Sequence, residues 1–549
     1  MTAAAPKPLQ GIDPQTLRAW YHDAQEIAVL DLREEEEFSQ GNIFFASCLP
    51  LSRLELLLAD KLPRRQTRIV VVDAPDRDLE RAAARFNALG YQNVWLLTGG
   101  IGGWQEAGLP IYTGVHVPSK AFAEVVEVKL HTPAIEVGDL FARQARGENL
   151  VVIDSRTTEE FARNTVPGAY GVPGADLVRH VRDLAPDPQT TVVVNCGGRT
   201  RSIIGAQALL NAGTPNPVVS LSGGLLAWRL AGLTPEVGAA RIPVRPSSAA
   251  GEWARSASDH LAGRFGLRLI RDADLAVFRA DPLRTTYVLD VRRPHDYVQG
   301  HLPGAVSVQG GQLVQETDSH VVVHGARVVL VDDGDLSRAH ITASWLVQLG
   351  VTDVHILESG LGDGPLEVGD RTPRVVGLQK AILQGDAGLL PAALNEKLGT
   401  GEVIVIDIGL AAAYRSGHIP NARLARRTEL STLLPAIAAE KQIVLTSEDG
   451  TLARLAAFEL GHSVTGSVDW LAGGTAAWQR AGLPLAAGEE LLIGKGGTDA
   501  WLTPTQRPDP AAAAQEYLDW ELGLPAQVAA DPDVRFSIVA VGEHLKQAS

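Results

Sequence analysis

One cysteine followed by two glycines and two arginines is the chemically richest stretch of this chain. Val192-Val193-Val194-Asn195-Cys196-Gly197-Gly198-Arg199-Thr200-Arg201-Ser202 begins as a β-branched run, and Ile203 to Leu210 resumes an apolar pattern with helical period. The spacing predicts a strand, a tight loop and a helix N-terminus with a thiol at the centre. Helix N-termini carry unpaired N–H groups and partial positive charge, so the amides of Gly197 to Ser202 are expected to cradle an anion. With the charges of Arg199 and Arg201 added, the pattern predicts a Cys196 thiolate near neutral pH and a doubly charged anion beside the sulfur. A buried structural cysteine is the opposing reading, and Gly-Gly-Arg-Thr-Arg directly after it speaks against an apolar core.

The elements that must hold this loop recur along the chain. Four apolar runs end in aspartate: Ile27 to Asp31, Leu150 to Asp154, Tyr287 to Asp290 and Val403 to Asp407. Arginine follows two residues later as Arg33, Arg156 and Arg292, whereas the fourth run has Gly409. A turn comes next, Gly300-His301-Leu302-Pro303-Gly304-Ala305 in its clearest form, with Gly417 to Ala422, Val166 to Ala169 and a blurred Gly41 to Ala46 as counterparts. A closing Gly-Gly-x-x-x-Trp signature ends three copies, at Trp104, Trp228 and Trp478, 73, 74 and 71 residues after their aspartates. The third copy keeps only Ser359-Gly360-Leu361-Gly362. Strands alternating with helical patterns predict four α/β domains, each a parallel β-sheet flanked by helices.

Tyr112 to Ser119, Arg241 to Ser256 and Glu367 to Pro373 read as connections. The resulting domains are 1–113, 120–236, 257–368 and 374–486, with a C-terminal tail at 487–549. In the tail, Asp509 as N-cap, Pro510, a stop at Gly523 and Pro525 beyond it frame a helix, and Phe536 to Val541 read as a strand.

Composition excludes several classes of function. A chain of 549 residues with net charge −15, 45% hydrophobic and 21% charged, reads as globular, and its acidity argues against nucleic-acid or anionic-membrane partners. Two cysteines, Cys48 and Cys196, cannot build a disulfide framework and are too few for a zinc site, so a reducing compartment is expected. His301 and His418 lack paired ligands, and no metal or cofactor is expected. Met1 to Gln10 has no signal-peptide pattern and no run approaches a membrane span, which points to the cytoplasm.

Together, the Asp-x-Arg strand end, the Gly-His-x-Pro-Gly-Ala-like turn, the cysteine loop and the Gly-Gly-x-x-x-Trp closure with Ala107-Gly108-Leu109-Pro110 or Ala481-Gly482-Leu483-Pro484 resemble the rhodanese domain family, in four tandem copies up to about residue 486. The resemblance implies sulfurtransferase chemistry through a Cys196 persulfide, with a small anionic sulfur donor such as thiosulfate and a thiol or cyanide as acceptor. Gly197, Gly198, Arg199, Thr200, Arg201 and Ser202 would then bind substrate. Arg156 either faces the same pocket or pairs with Glu159 or Glu160 to fix the strand end, the second reading being favoured because Arg33 and Arg292 recur in copies without a cysteine.

The other loops supply no thiol: Asp73-Ala74-Pro75-Asp76, Asp332-Asp333-Gly334-Asp335 and Ser447-Glu448-Asp449 stand where Asn195-Cys196 does. Their carboxylates would occupy the amide donors and repel a dianion, so three copies are expected to be catalytically dead. Cys48 has no glycine loop or arginine cluster and reads as an incidental thiol. Two rival functions remain. A cysteine phosphatase would need a loop fitted to a larger oxyanion than this one, with Arg201 five and Ser202 six residues after Cys196. A sulfur carrier or binding scaffold would pass sulfur to a protein partner with little turnover on small thiols.

Overall fold

Each of the four aspartate-ending runs pairs in parallel with its neighbours from the same copy, because strands rich in Val and Ile bury both faces when helices cover them, and Ile27–Asp31 also takes Val323–His324 antiparallel on one edge. The computed structural model describes residues 10–543 apart from 75–78, 386, 438–441, 462–467, 489–490, 498 and 541–542. In the second copy the strands are β1 (Ala134–Ile135), β2 (Leu150–Asp154), β3 (Tyr170–Gly171), β4 (Thr191–Asn195) and β5 (Val218–Leu221), in the order β1-β5-β4-β2-β3. All four pairings are parallel, and Asp154 sits opposite Asn195 where β2 and β4 end together. That register puts the loop after β4 at the carboxyl edge, beside the sequence that leaves β2.

The third copy repeats this plan with Arg268–Ile270, Asp353–Leu357, Arg327–Val331, Thr286–Asp290 and Val306–Ser307 side by side. The first copy orders Gln10–Ile12, Val94–Leu97, Arg68–Asp73 and Ile27–Asp31, with Ser47–Cys48 on the last, and the fourth keeps four strands. By packing, the chain divides into two compact units. One comprises 1–17, 29–115 and 373–501; the other comprises 18–28, 116–372 and 502–549 and contains the cysteine loop. No helix among the described residues is long and apolar enough to cross a membrane.

The Asp-x-Arg motif is a structural staple. Arg156 Nε and Nη2 bind both carboxylate oxygens of Asp154, and Nη2 also donates to the Asn164 carbonyl eight residues on. Asp31 with Arg33 and Asp290 with Arg292 do the same, reaching the Gly41 and Gly300 carbonyls. The strand end is thereby tied to the following turn. The expected partner Glu159 or Glu160 is not the one used: the carboxylate two residues back is closer and already buried, so it takes the bidentate pair.

The fourth copy shows what the missing arginine costs. Asp407 is buried and accepts the Gly409 N–H at 2.8 Å, and burial lifts its carboxyl to about 6. A folded pKa above the unfolded value means that this group favours the native state below about pH 4, and that the advantage is lost as pH rises through 6. Two pH units correspond to about 3 kcal/mol. The melting temperature of the unit containing this copy should therefore rise on acidification from pH 7 to 5. Gly409→Arg, which restores the staple, should flatten that dependence in calorimetry.

Three expectations need correction. The connections at 112–119 and 241–256 are partly helical, since α1 (Val117–Leu130) begins with Pro118 in its first turn and Ser247 caps a helix over Ser248–Phe265 through the Ala250 N–H. In the tail, Asp509 caps as expected, but the helix runs through Gly523 and Pro525 as a 20-residue element, Pro510–Ala529. Leu524 and Val528 are buried beyond the expected stop, so packing overrides the local helix breakers. Phe536 to Ala540 pair with no strand; Ser537 donates instead to the Gln348 carbonyl, while Val541 lies outside the described residues.

Candidate active site

The cysteine loop bridges β4 and α2 (Thr200–Asn211), and its shape is fixed from behind by the start of α3 (Gly224–Leu230). The Leu225 and Leu226 N–H groups donate to the carbonyls of Cys196 and Gly197, both at 2.9 Å. Gly224 has φ +52°, and a Cβ there would lie 2.4 Å from the Gly198 oxygen and 2.5 Å from the Cys196 oxygen. Only glycine permits this approach, so the closing Gly-Gly signature is part of the site's frame.

With their carbonyls held backward, the loop residues turn their amides the other way. Among the described residues, no backbone or side-chain acceptor takes the N–H groups of Gly197 to Arg201, while the Ser202 N–H is directed at Cys196 Sγ and the thiol donates to Ser202 Oγ, whose own hydroxyl donates to the Arg199 carbonyl. Ser202 Oγ lies 3.5 Å from that sulfur and 2.8 Å from the Arg199 carbonyl. Ser155, at the end of β2, ties the loop down by donating to the carbonyls of Asn195 and Arg201. The amides of Gly197, Gly198 and Thr200 thus lie on the loop around the thiol with no acceptor among the described residues.

The arginines are disposed differently from the expectation. Arg199 Nε and Nη2 lie against Glu124 at 2.8 and 2.9 Å, and Nη2 also meets Glu127, so α1 draws this guanidinium away. Arg201 pairs with Glu160 at 2.6 and 2.8 Å and reaches Gln312 at 3.3 Å. Against its burial, Glu160 is held down to about 2, chiefly by Arg201. Arg156 remains on Asp154. Each arginine is therefore matched by a carboxylate already in place.

The thiol is correspondingly less ionised than expected. Cys196 is 2% exposed, and burial pushes its pKa above the ordinary thiol value, Arg201 and Ser202 pulling the other way and Glu521 adding to the rise. This corrects the predicted thiolate: the loop amides are present, but a helix from the tail covers them.

That helix, α4 (Pro510–Ala529), has no motif that announces its role. Ala514 and Leu518 pack on Leu226 of α3, and the Lys120 ammonium lies 5.2 Å from the ring centroids of both Tyr517 and Trp520. Tyr517 and Glu521 then project over the loop. A Cβ on Gly198 would meet Glu521 Oε2 at 3.1 Å and Tyr517 Cε1 at 3.2 Å, while Thr200 Oγ1 and the Tyr517 hydroxyl donate to Glu521 Oε1 at 3.3 and 2.9 Å. Only its start, with Asp509 as N-cap and Pro510 in the first turn, is readable from the sequence.

In the third copy, carboxylates fill the equivalent loop. Asp332 accepts the N–H groups of Asp333 and Ala339 and the Arg338 guanidinium, and Asp335 accepts the Ser337 N–H. In the fourth, Ser447 Oγ accepts the Ala453 N–H and Asp449 that of Thr451. In the first, Asp73 accepts the Ala74 N–H, and Pro75 and Asp76 lie outside the described residues. Cys48 borders Asp31, Glu34 and Glu35 and donates to the Arg33 carbonyl at 3.6 Å; burial first, then those carboxylates, push its thiol well above the ordinary value. His301 and His418 stack on Tyr297 and Tyr414 with centroids 3.7 and 3.8 Å apart, while the indoles of Trp104, Trp228 and Trp478 donate to backbone carbonyls within their own closures.

Known proteins resemble this chain over most of its length. The Rhodanese-like domain model matches residues 13–107, 138–231, 275–363 and 390–481. A crystal structure of a thiosulfate sulfurtransferase from Pseudomonas aeruginosa is 40% identical, with a TM-score of 0.91 over 97% of this chain and 100% of that one. SseB of Mycobacterium tuberculosis, assigned as a thiosulfate sulfurtransferase, is 28% identical over 207 residues, 29% of this chain and 69% of its own length. A protein named sulfurtransferase from Allochromatium vinosum is 29% identical over 100 residues, 18% of this chain and 92% of its own. With four matched segments and a full-length structural relative at 40% identity, the chain belongs to the Rhodanese-like domain family, as a transferase built from four such domains in tandem.

Proposed function

We propose that this chain moves sulfane sulfur from thiosulfate or a similar anionic donor to a thiol or cyanide through a persulfide on Cys196. One observation carries the reading: of the four equivalent loops, the second alone has a thiol, and its backbone amides are taken by no acceptor among the described residues. The Cys196 thiolate attacks the donor's outer sulfur, the bond to the sulfonyl sulfur breaks, and sulfite leaves with the electron pair. The amides of Gly197 to Ser202 then stabilise the terminal persulfide anion, with the Ser202 hydroxyl beside it. Sulfite is a good leaving group, so no general acid is required.

Arg201 enters as an electrostatic support rather than a bidentate clamp, because Glu160 already holds its guanidinium. Arg156 orients the strand end. The cytoplasm is the compartment that suits a free, functional thiol. A sulfur carrier serving a protein partner is the second reading, favoured by the burial of Cys196 beneath α4.

Intact-mass and peptide-mass analysis after brief treatment with thiosulfate, or in parallel with methanethiosulfonate, tests the proposal. Expected is a gain of about 32 Da on the peptide containing Cys196, matched by released sulfite or sulfinate. No gain from either donor overturns it. Rapid repeated turnover with small thiols identifies the enzyme; a single loading with little turnover identifies the carrier.

A further inference from the structure

The local charge at Cys196 is not that of an open dianion site. Arg199, Arg201, Arg156 and Lys120 are the cations around the loop, and Glu124, Glu127, Glu160, Asp154 and Glu521 are the carboxylates facing them. The first four carboxylates belong to the second domain's own helices and strand. Glu521 is the one brought from the tail.

Its position is unusual for a carboxyl group. Glu521 is 1% exposed, Oε1 is satisfied by Tyr517 and Thr200, and Oε2 is buried with no hydrogen-bond partner, lying against Gly198. A buried oxygen without a donor is expensive, and helix α4 maintains it although an apolar residue would pack there at lower cost. Burial lifts the Glu521 carboxyl to about 7, with Lys120 opposing and Glu124 adding to the shift. A charged Oε2 beside the loop opposes each negative charge that an incoming donor carries, and acts twice on a dianion.

We propose that Glu521 is a specificity-determining residue of the Cys196 site, turning it against doubly charged sulfur donors and toward singly charged or neutral ones. The inference rests on Cys196 being the sulfur-accepting nucleophile. With a donor of the class R–SO2–S⁻, the thiolate attacks the outer sulfur, the S–SO2 bond breaks, R–SO2⁻ leaves with the electron pair, and the cysteine keeps the persulfide. The charge of the donor is then one unit lower in magnitude than that of thiosulfate, with the same transferable sulfur.

The test separates anion binding from chemistry. Iodoacetamide, a neutral reagent, alkylates Cys196 while sulfate or methanesulfonate is titrated in; these anions are alike in shape and differ by one charge. In Glu521→Gln, which keeps the acceptor for Tyr517 and Thr200, sulfate should protect Cys196 at about tenfold lower concentration than in the wild type, and methanesulfonate at a concentration changed by no more than about threefold. Glu521→Ala should show the same split. Equal shifts for both anions, or none, overturn the proposal. In the second arm, the ratio of kcat/KM for thiosulfate over methanethiosulfonate should rise at least about threefold in Glu521→Gln, and an unchanged ratio overturns it. If neither donor loads the wild type, the sulfur-transfer reading has failed, and the alkylation arm still decides the role of Glu521.

Discussion

Cys196→Ser should lower sulfur transfer from thiosulfate by at least about four orders of magnitude, while Cys48→Ser leaves it within about twofold. Serine preserves the hydrogen bond to Ser202 and the volume beneath α4, so the loop should keep its shape and the loss should be chemical. A serine hydroxyl offers no thiolate and cannot carry the outer sulfur as a persulfide. The other loops cannot substitute, since Ala74, Asp332 and Ser447 follow their strands where Cys196 does. Cys48 is the remaining thiol, and carboxylates surround it. Coupled sulfite release and circular dichroism on both variants make the comparison; retained activity in Cys196→Ser would place the chemistry elsewhere.

Gly224→Val should be nearly as damaging, although no atom of Gly224 needs to touch a substrate. The new Cβ would overlap the carbonyl oxygens of Cys196 and Gly198, and valine resists φ +52°. Relief requires the loop to move, which turns the amides of Gly197 to Ser202 away from the sulfur. A loss of kcat/KM of at least about 100-fold and a destabilisation of about 3 kcal/mol are expected. Gly232→Ala is the control. Gly232 also has positive φ, +74°, but a Cβ there meets nothing within 4 Å, so this change should cost about 1 kcal/mol and leave kinetics unchanged.

What could be read from the sequence were the features governed by local rules repeated four times. The β-branched runs ending in aspartate, the Gly-Gly turn before Trp228 and the loop from Cys196 to Ser202 each express a backbone requirement within a few residues, and each became the expected element. The partners of the charged groups were not readable in the same way. Arg199 turned to Glu124 and Glu127 on a helix that began inside an expected linker, and Glu521 arrived over Gly198 from a tail without a chemical motif. Such pairings depend on tertiary packing, to which residue spacing is blind. The expected thiolate met the same limit: desolvation of Cys196, with Glu521 adding to it, raises the thiol against the pull of Arg201 and Ser202.

The cover also sets a schedule for biosynthesis. Thr200 and Glu521, which meet over the loop, stand 321 positions apart in the chain. A ribosome adding about 5–20 residues per second makes the second domain on the order of tens of seconds before it makes α4, so every newly made molecule passes through an interval with its nucleophile unshielded. In that interval the loop lacks the carboxylate of Glu521, and a nascent chain should be more open to oxidants, alkylating agents and dianionic sulfur compounds than the finished protein. Chemical damage to this protein should therefore fall most heavily on molecules still being translated.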